Sequence, residues 1–418
     1  MSDCFKINSR SATTISILTF ASICFFYFFE AAQIAYYNVL APSLINHGTY
    51  NASQVASLSA AYFYGDMVGL MPVGYALDKF PLRKTLIWAI LGSLIGALIL
   101  FTSEDYYVKW LARFICGLFG GTFSFLGGLR IISLLFSDRF TFYMGLFLGA
   151  GMLGGMLCQY PLLELIHRYG PDSAMKAIFI LGLAVMAFNF VFLHPKEDNK
   201  TTNNENAYQG TLWEMCKEIG FNIRNWCDVL MVVLLDSPIS IIGTLWGIVF
   251  LTGFFNFSPE VSSWLVMAMF AGLLAGLPVW GRVADKYNNP PWIIILGAGI
   301  CFLTTLGMFA LQTFNTPVTI AGLLFFLGFF SSCQSMGFTW IIKNMHPDLI
   351  GRNSAFNSMI LMAGNGGTKQ IGAIVLGIPA LLLGTSSSAN LLFLITVAML
   401  AAVIYAAIRK HIFHSLKA

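Results

Sequence analysis

Long apolar stretches alternate with short polar or proline-containing breaks along the whole of this 418-residue chain. A helix needs about 20 apolar residues to cross the hydrocarbon core of a bilayer, so each long stretch predicts one membrane-spanning helix. Pro42, Asp78 and Pro317 are among the residues that mark the breaks. The pattern predicts twelve spans, at residues 14–41, 54–77, 85–102, 107–136, 140–166, 175–193, 230–256, 259–284, 291–312, 316–343, 353–383 and 388–408.

A polar, asparagine-rich stretch at residues 194–226 separates the sixth predicted span from the seventh. In addition, a charged turn occurs twice: Gly74 is followed four residues later by Asp78, and Gly281 by Asp285, 207 positions further on. Internal repeats of this kind are typical of membrane transporters. We therefore predict an all-α membrane protein of two pseudo-symmetric six-helix bundles, residues 1–193 and 227–418, joined by a linker at 194–226.

Composition supports a membrane location and suggests an orientation. Only 10% of the residues are charged, against about 25% in soluble proteins. Most lysines and arginines fall on one side of the predicted spans, and such residues collect on the cytoplasmic side. This predicts a multi-pass membrane protein with the linker and both termini in the cytoplasm. The same rule explains the formal net charge of +4, so no nucleic-acid partner is predicted.

The cysteines, histidines and glycine motifs give no sign of an enzyme. None of the eight cysteines forms a CxxC pair, no histidine stands at metal-ligand or catalytic spacing, and no nucleotide-binding G-x-x-x-x-G-K-[ST] string occurs. We predict no enzymatic activity, no metal and no cofactor. The predicted partners are the lipid bilayer, a small-molecule substrate and protons, and the predicted state is a monomer.

The repeated turn is predicted to act as a conformational latch between the halves. Glycine would let two helices approach closely, and an aspartate could accept hydrogen bonds from the N-terminus of a neighbouring helix. The alternative is a plain cytoplasmic loop that only follows the distribution of positive charge. The predicted latch residues are Gly74, Asp78, Lys79, Arg83, Lys84, Gly281, Asp285 and Lys286.

Charged and amide side chains within the spans are expensive to bury and therefore mark candidate functional residues. Glu30 and Asp66 are predicted to carry protons, and Arg113 and Lys369, one from each half, to share an anionic group of the substrate. The alternative for Glu30 or Asp66 is a static ion pair with Arg113. Asp236 is predicted to lie in water near a helix end, which leaves Lys369 without a carboxylate in its own half. The predicted substrate-binding residues are Gln33, Tyr37, Arg113, Gln159, Gln334, Asn365 and Lys369.

The chain resembles the major facilitator superfamily. The family signature G-x-x-x-D-R/K-x-G-R-R/K is matched by Gly74, Asp78, Lys79, Arg83 and Lys84, although Pro81 stands near the place of the second glycine. A second family motif, R-x-x-x-G in helix four, is matched at Arg113 and the glycines that follow it, Gly117, Gly120 and Gly121. The resemblance implies a transporter that works by alternating access.

A narrower likeness links the chain to nutrient transporters of intracellular bacterial pathogens, which include amino-acid importers and transporters of carboxylate siderophores. It rests on residues 61–64, the ALDKFPLRK turn, Gln159-x-Pro161-Leu162 and Leu245-Trp246-Gly247. The Gly-Pro pair of family exporters is missing, because Ala150 stands where the proline is expected. We therefore expect proton-coupled uptake of a small carboxylate-bearing solute such as an amino acid. The alternatives are import or export of a polycarboxylate siderophore, and a membrane sensor that transports nothing.

Overall fold

The computed structural model describes residues 2–195, 223–287, 290–312, 316–337, 350–378 and 387–415. Residues 196–222, most of the predicted linker, lie outside this part. Six helical segments form the first half: α1 (Ser2–Asn46), α2 (Ala52–Lys79), α3 (Leu82–Thr102), α4 (Tyr106–Cys116, Gly117–Gly121 and Thr122–Leu135), α5 (Phe140–Leu157 and Tyr160–Tyr169) and α6 (Asp172–Phe192).

The described part of the second half is also helical. Its segments are α7 (Ile223–Pro238, Ile239–Trp246 and Gly247–Phe255), α8 (Pro259–Tyr287), α9 (Pro290–Ala310), α10 (Pro317–Ser331), α11 (Ile350–Gly377) and α12 (Ala389–Ser415). In the described residues, ten helices are long and apolar enough to cross a membrane. The other two segments, α2 and α11, have 28 residues each and occupy the second and eleventh predicted spans. The predicted all-α architecture is confirmed.

Successive helices run in opposite directions, so their ends define two faces. We call the face where α1 ends and α2 begins the Asn46 face, and the face where α2 ends and α3 begins the Lys79 face. A capping box starts α2 on the Asn46 face: the Asn51 side chain accepts a hydrogen bond from the Gln54 backbone amide, and the Gln54 side-chain oxygen accepts one from the Asn51 backbone amide. Asp105 caps the start of α4 on the same face.

The internal repeat extends from the sequence into helix packing. Gly117 on α4 lies directly against the carbonyl oxygen of Tyr62 on α2, and Gly328 on α10 lies in the same way against the carbonyl oxygen of Met269 on α8. Tyr62 and Met269 are 207 positions apart, the spacing of the two charged turns. Small residues at such crossings let helix backbones approach closely in a membrane. Each half therefore contains the same glycine-mediated crossing.

One buried ion pair ties the start of α7 to the end of α12. Arg409 donates to both carboxylate oxygens of Asp228 at 3.1 and 2.9 Å, and the Tyr405 hydroxyl donates to the same carboxylate at 2.6 Å. A two-pronged arginine–carboxylate contact fixes geometry as well as charge. The pair thus joins the first and last helices of the second half near the Lys79 face.

Candidate functional site

Two of the long helices change to a wider helical turn midway. In α4 the residues Gly117–Gly121 are π-helical, and in α7 the residues Ile239–Trp246 are π-helical. Such turns in α-helices are frequent at functional sites, because they redirect the side chains on either side. Both turns border one cavity, which Gly121 and Ser240 help to line.

This cavity lies between the two halves and has a volume of about 310 Å³. Its wall is built by α1, α2, α4 and α5 from the first half and by α7, α8 and α11 from the second, together with Gln334, which follows α10. Most of the lining is apolar. The lining includes three acidic and two amide side chains: Glu30, Asp66, Asp236, Gln334 and Asn365.

Glu30 is the most completely hydrogen-bonded of the three acids. It is 1% exposed, and it accepts hydrogen bonds from the Tyr62 hydroxyl at 2.9 Å, the Ser93 hydroxyl at 2.9 Å and the Gln33 amide at 3.2 Å. Gly120 lies directly against the carboxyl group, and any larger residue there would collide with it. The structure thus brings Glu30 and Gln33 together, as their spacing along α1 predicts.

Asp66 sits on the neighbouring part of the wall, under the π-helical turn of α4. Thr122 donates a hydrogen bond to its carboxylate, and a Cβ on Gly121 would lie 2.8 Å from its Cγ. Among the described residues, neither Asp66 nor Glu30 forms an ion pair with Arg113. The static ion pair that was the alternative for these carboxyls is therefore not formed.

Arg113 instead occupies an aromatic cage in the first half. Its guanidinium lies 4.7 Å from the ring centre of Tyr37 and 5.0 Å from that of Tyr62, and it donates to the Gln33 carbonyl oxygen at 3.1 Å. Stacking on aromatic faces stabilises a desolvated cation. Arg113 is fully buried, and so is Lys369, whose Nζ lies 4.8 Å from the ring centre of Phe63.

Two predictions about the second half are wrong. Asp236 is not solvated: it is 8% exposed and lines the cavity. Nor does Lys369 lack a carboxylate in its own half, since Asp236 is close enough for an electrostatic interaction. Asp236 is buried because α7 begins at Ile223, which places Asp236 more than three turns inside the helix.

The cavity is closed toward the Asn46 face by contacts between the halves. Asn38 of α1 donates to the Gln159 side chain at 3.0 Å and to the Gly243 carbonyl oxygen at 3.4 Å, and it accepts from the Ile248 amide at 3.2 Å. Sequence reasoning missed Asn38, whose one signal is an amide within an apolar run. It joins α1, α5 and α7 one turn beyond the cavity.

Two further contacts between the halves lie nearer the Asn46 face. Tyr160 of α5 stacks on Trp264 of α8 with ring centres 4.8 Å apart, and His167 Nδ1 lies 3.3 Å from Glu260 Oε1. Together with the Asn38 contacts they form what we call the closed layer. Of the predicted binding residues, Gln159 belongs to this layer through its contact with Asn38. Five of the predicted binding residues do not line the cavity: Gln33, Tyr37, Arg113, Gln159 and Lys369.

Two of the predicted latch residues on the Lys79 face, Lys79 and Arg83, make contacts within the first half. Lys79 donates to the Tyr75 hydroxyl at 2.7 Å, and Arg83 donates to the Phe190 carbonyl oxygen at 2.9 Å. A Cβ on Gly74 or Gly281 would meet no described atom within 4 Å, so the close helix approach expected there does not occur. Lys84 and Lys286 are exposed, and the side chains of Asp78 and Asp285 lie outside the described residues.

Comparison with known proteins gives the family. The model of the Major Facilitator Superfamily matches residues 23–365. An uncharacterized MFS-type transporter, YcaD, of Escherichia fergusonii is 23% identical over 342 residues, which is 77% of this chain and 80% of that protein. YcaD of Salmonella heidelberg is 25% identical over 349 residues, with the same coverage.

A solved structure has the same fold. A mutant of the nucleoside transporter NupG superposes with a TM-score of 0.73 over 93% of this chain and 99% of its own, at 11% sequence identity. Identity this low shows the fold alone. Since the family model covers most of the chain, the chain belongs to the Major Facilitator Superfamily and is a transporter rather than an enzyme.

Proposed function

We propose that the protein is a secondary active transporter that takes up a small carboxylate-bearing solute, an amino acid or a related metabolite, across the bacterial inner membrane. The observation that carries this proposal is the cavity between the halves, which presents carboxyl groups from both halves. Contacts between the two halves close this cavity toward the Asn46 face. A site at the interface of two repeats can face either side in turn when the halves rock against each other.

The distribution of lysine and arginine supports placing the Lys79 face and both termini in the cytoplasm. On this assignment the closed layer faces outward and the cavity belongs to an inward-facing state. Lys79 and Arg83 hold contacts in their own half in that state. We infer that the latch contacts between the halves form when the cavity opens outward.

Cavity size favours a small solute. Sites for small molecules have volumes of about 300–1,000 Å³, and this one, about 310 Å³, lies at the lower end. A polycarboxylate siderophore is larger than an amino acid, so the volume supports the amino-acid class over the siderophore alternative.

The carboxylate of the solute is proposed to meet Arg113 and Lys369 from the outer side. These two cations lie behind the rings of Tyr62 and Phe63, which line the closed end of the cavity. Opening of the closed layer would separate the halves at this point and admit a solute arriving from outside. Glu30 and Asp66, on the cavity wall, are the proposed proton carriers.

Uptake into proteoliposomes tests this function. With an inward-directed proton gradient we expect purified protein to concentrate at least one labelled amino acid, because the cavity fits such a solute and offers two carboxyl groups for protons. A protonophore should collapse the accumulated pool. Transport of a carboxylate siderophore but of no amino acid would overturn the substrate class, and binding of solute without any transport would favour the sensor.

A further inference from the structure

Asp236 is a cavity residue to which the predicted transport cycle gives no part. It lies in α7 just before Pro238 and the π-helical turn Ile239–Trp246. The side chain is buried within the helix bundle, yet it lines the cavity. A carboxyl group at this depth is costly to keep without a partner of opposite charge.

The partners of Asp236 come from two other helical segments of the second half. The side chains of Gln334 and Asn365 line the same cavity as Asp236 and lie near enough to stabilise its carboxylate. Lys369 interacts with it electrostatically but gives its ammonium hydrogen bond to Thr244 Oγ1 instead. Two neutral amides thus lie near the carboxylate, while the hydrogen bond of the Lys369 ammonium group goes to Thr244.

Two oxygens beside this carboxylate lack hydrogen bonds. Gln334 Oε1 and Asn365 Oδ1 are buried, and neither has a partner among the described residues. Asn365 is 6% exposed, and both residues line the cavity. A buried carbonyl oxygen left unsatisfied costs about 1–3 kcal/mol, so an occupant that donates hydrogen bonds would stabilise this wall.

The chemistry of the wall matches a primary ammonium group. One carboxylate and two carbonyl oxygens offer acceptors only, whereas an ammonium group offers three donors and one positive charge. Hydrogen bonds between ionised partners are about twice as strong as neutral ones. A carboxylate-only solute finds no cationic side chain on the lining of this cavity among the described residues.

We propose that Asp236, Gln334 and Asn365 form a subsite that binds the primary ammonium group of the solute. The inference rests on the proposed function in that it uses the same cavity, and it adds the group by which the second half holds the solute. Glu30 and Asp66 also line the cavity on the first half, and most of the remaining lining is apolar, including Met152 and Phe270. The subsite therefore favours an ammonium group on an apolar body.

Three matched compounds test the subsite by equilibrium binding to the purified protein in detergent. L-leucine carries both charged groups, 3-methylbutylamine lacks the carboxylate, and 4-methylpentanoate lacks the ammonium group. We expect leucine and the amine to bind and to raise the thermal unfolding midpoint, and 4-methylpentanoate to do neither. Asp236→Asn should weaken amine binding about tenfold or more, since it removes a charge-assisted contact.

Ser358→Ala is the control, because Ser358 lines the same cavity about two helical turns before Asn365 on α11. This variant should bind the amine as the unaltered protein does. If Asp236→Asn does not fold, Asn365→Ala replaces it and should also weaken amine binding. The subsite is overturned if neither leucine nor the amine binds, or if Asp236→Asn binds the amine as tightly as the unaltered protein does. It is also overturned if sodium chloride raises the unfolding midpoint above that in choline chloride while the amine has no effect on it.

This binding test needs neither transport nor a proton gradient, so it fails independently of the proposed function. If the amine binds through Asp236 while proteoliposomes take up no amino acid, the subsite stands and the proposed uptake does not. If proteoliposomes concentrate leucine while Asp236→Asn binds it normally, the uptake stands and the subsite does not.

Discussion

Asp66→Asn is expected to abolish proton-driven accumulation of substrate in proteoliposomes while leaving exchange of substrate between the two sides intact. Asparagine keeps the shape of aspartate and the hydrogen bond from Thr122, but it cannot bind and release a proton. A gradient of one pH unit is worth about 1.4 kcal/mol, or about tenfold accumulation for one proton per solute. That factor should fall to one in the variant.

Glu30→Gln provides the comparison within the same half. Glu30 accepts hydrogen bonds from Tyr62, Ser93 and Gln33, so we expect its neutral variant to lose accumulation as well and to disturb that network. Glu164→Gln is the control, because Glu164 pairs with Arg168 near the Asn46 face, away from the cavity. If both cavity variants still concentrate substrate, proton coupling through these carboxyls is wrong.

Gly117→Val is expected to prevent accumulation of folded protein in the membrane. A side chain at this position would run into the carbonyl oxygen of Tyr62 on α2. Overpacking in a core typically costs about 1–3 kcal/mol. Here the neighbour is helix backbone, which cannot rotate away, so α2 and α4 would have to separate. The measurement is the yield of monodisperse protein in detergent and its thermal unfolding midpoint.

Gly74→Ala is the matched control, since a Cβ there meets no described atom within 4 Å. We expect the yield and the unfolding midpoint to stay unchanged. Equal stability of the Gly117 and Gly74 variants would contradict the packing described for the first half. The pseudo-symmetric position Gly328, which lies against the Met269 carbonyl oxygen, should behave like Gly117.

The helical architecture was predictable from sequence because each span must satisfy its own backbone hydrogen bonds in lipid. The positions of the long apolar stretches therefore predict the positions of the membrane-spanning helices. The Gly-x-x-x-Asp-Lys turn pointed to a duplicated chain, because the same pattern recurs 207 positions further on. The glycines that pack helices together could not be chosen from the pattern. Gly74 and Gly117 look alike in sequence, but only Gly117 lies at a helix crossing.

The candidate site was predictable in composition and not in arrangement. Burial of Glu30, Asp66, Arg113 and Lys369 follows from their depth in apolar runs. Their partners depend on how helices rotate against one another, which no local pattern encodes. The burial of Asp236 was missed for a simpler reason. The predicted seventh span begins at residue 230, seven residues after the observed start of α7 at Ile223, and this placed Asp236 near water. The narrower likeness to amino-acid and siderophore transporters remains a prediction.

A reversible cross-link across the closed layer tests the central claim of alternating access most directly. The rings of Tyr160 and Trp264, from different halves, stack with their centres 4.8 Å apart. Cysteines replace both residues in a protein whose eight native cysteines are removed, and a short bifunctional methanethiosulfonate reagent joins them through two reducible disulfides. The control pair replaces Tyr50 and Tyr106, whose ring centres lie 5.8 Å apart within the first half.

Transport by both proteins is measured after cross-linking and again after reduction. We expect the cross-link to stop transport by the Tyr160–Trp264 pair and reduction to restore it, while the Tyr50–Tyr106 pair transports under both conditions. Full transport by the completely cross-linked Tyr160–Trp264 protein would contradict the account, because the Asn46 face would then not have to open.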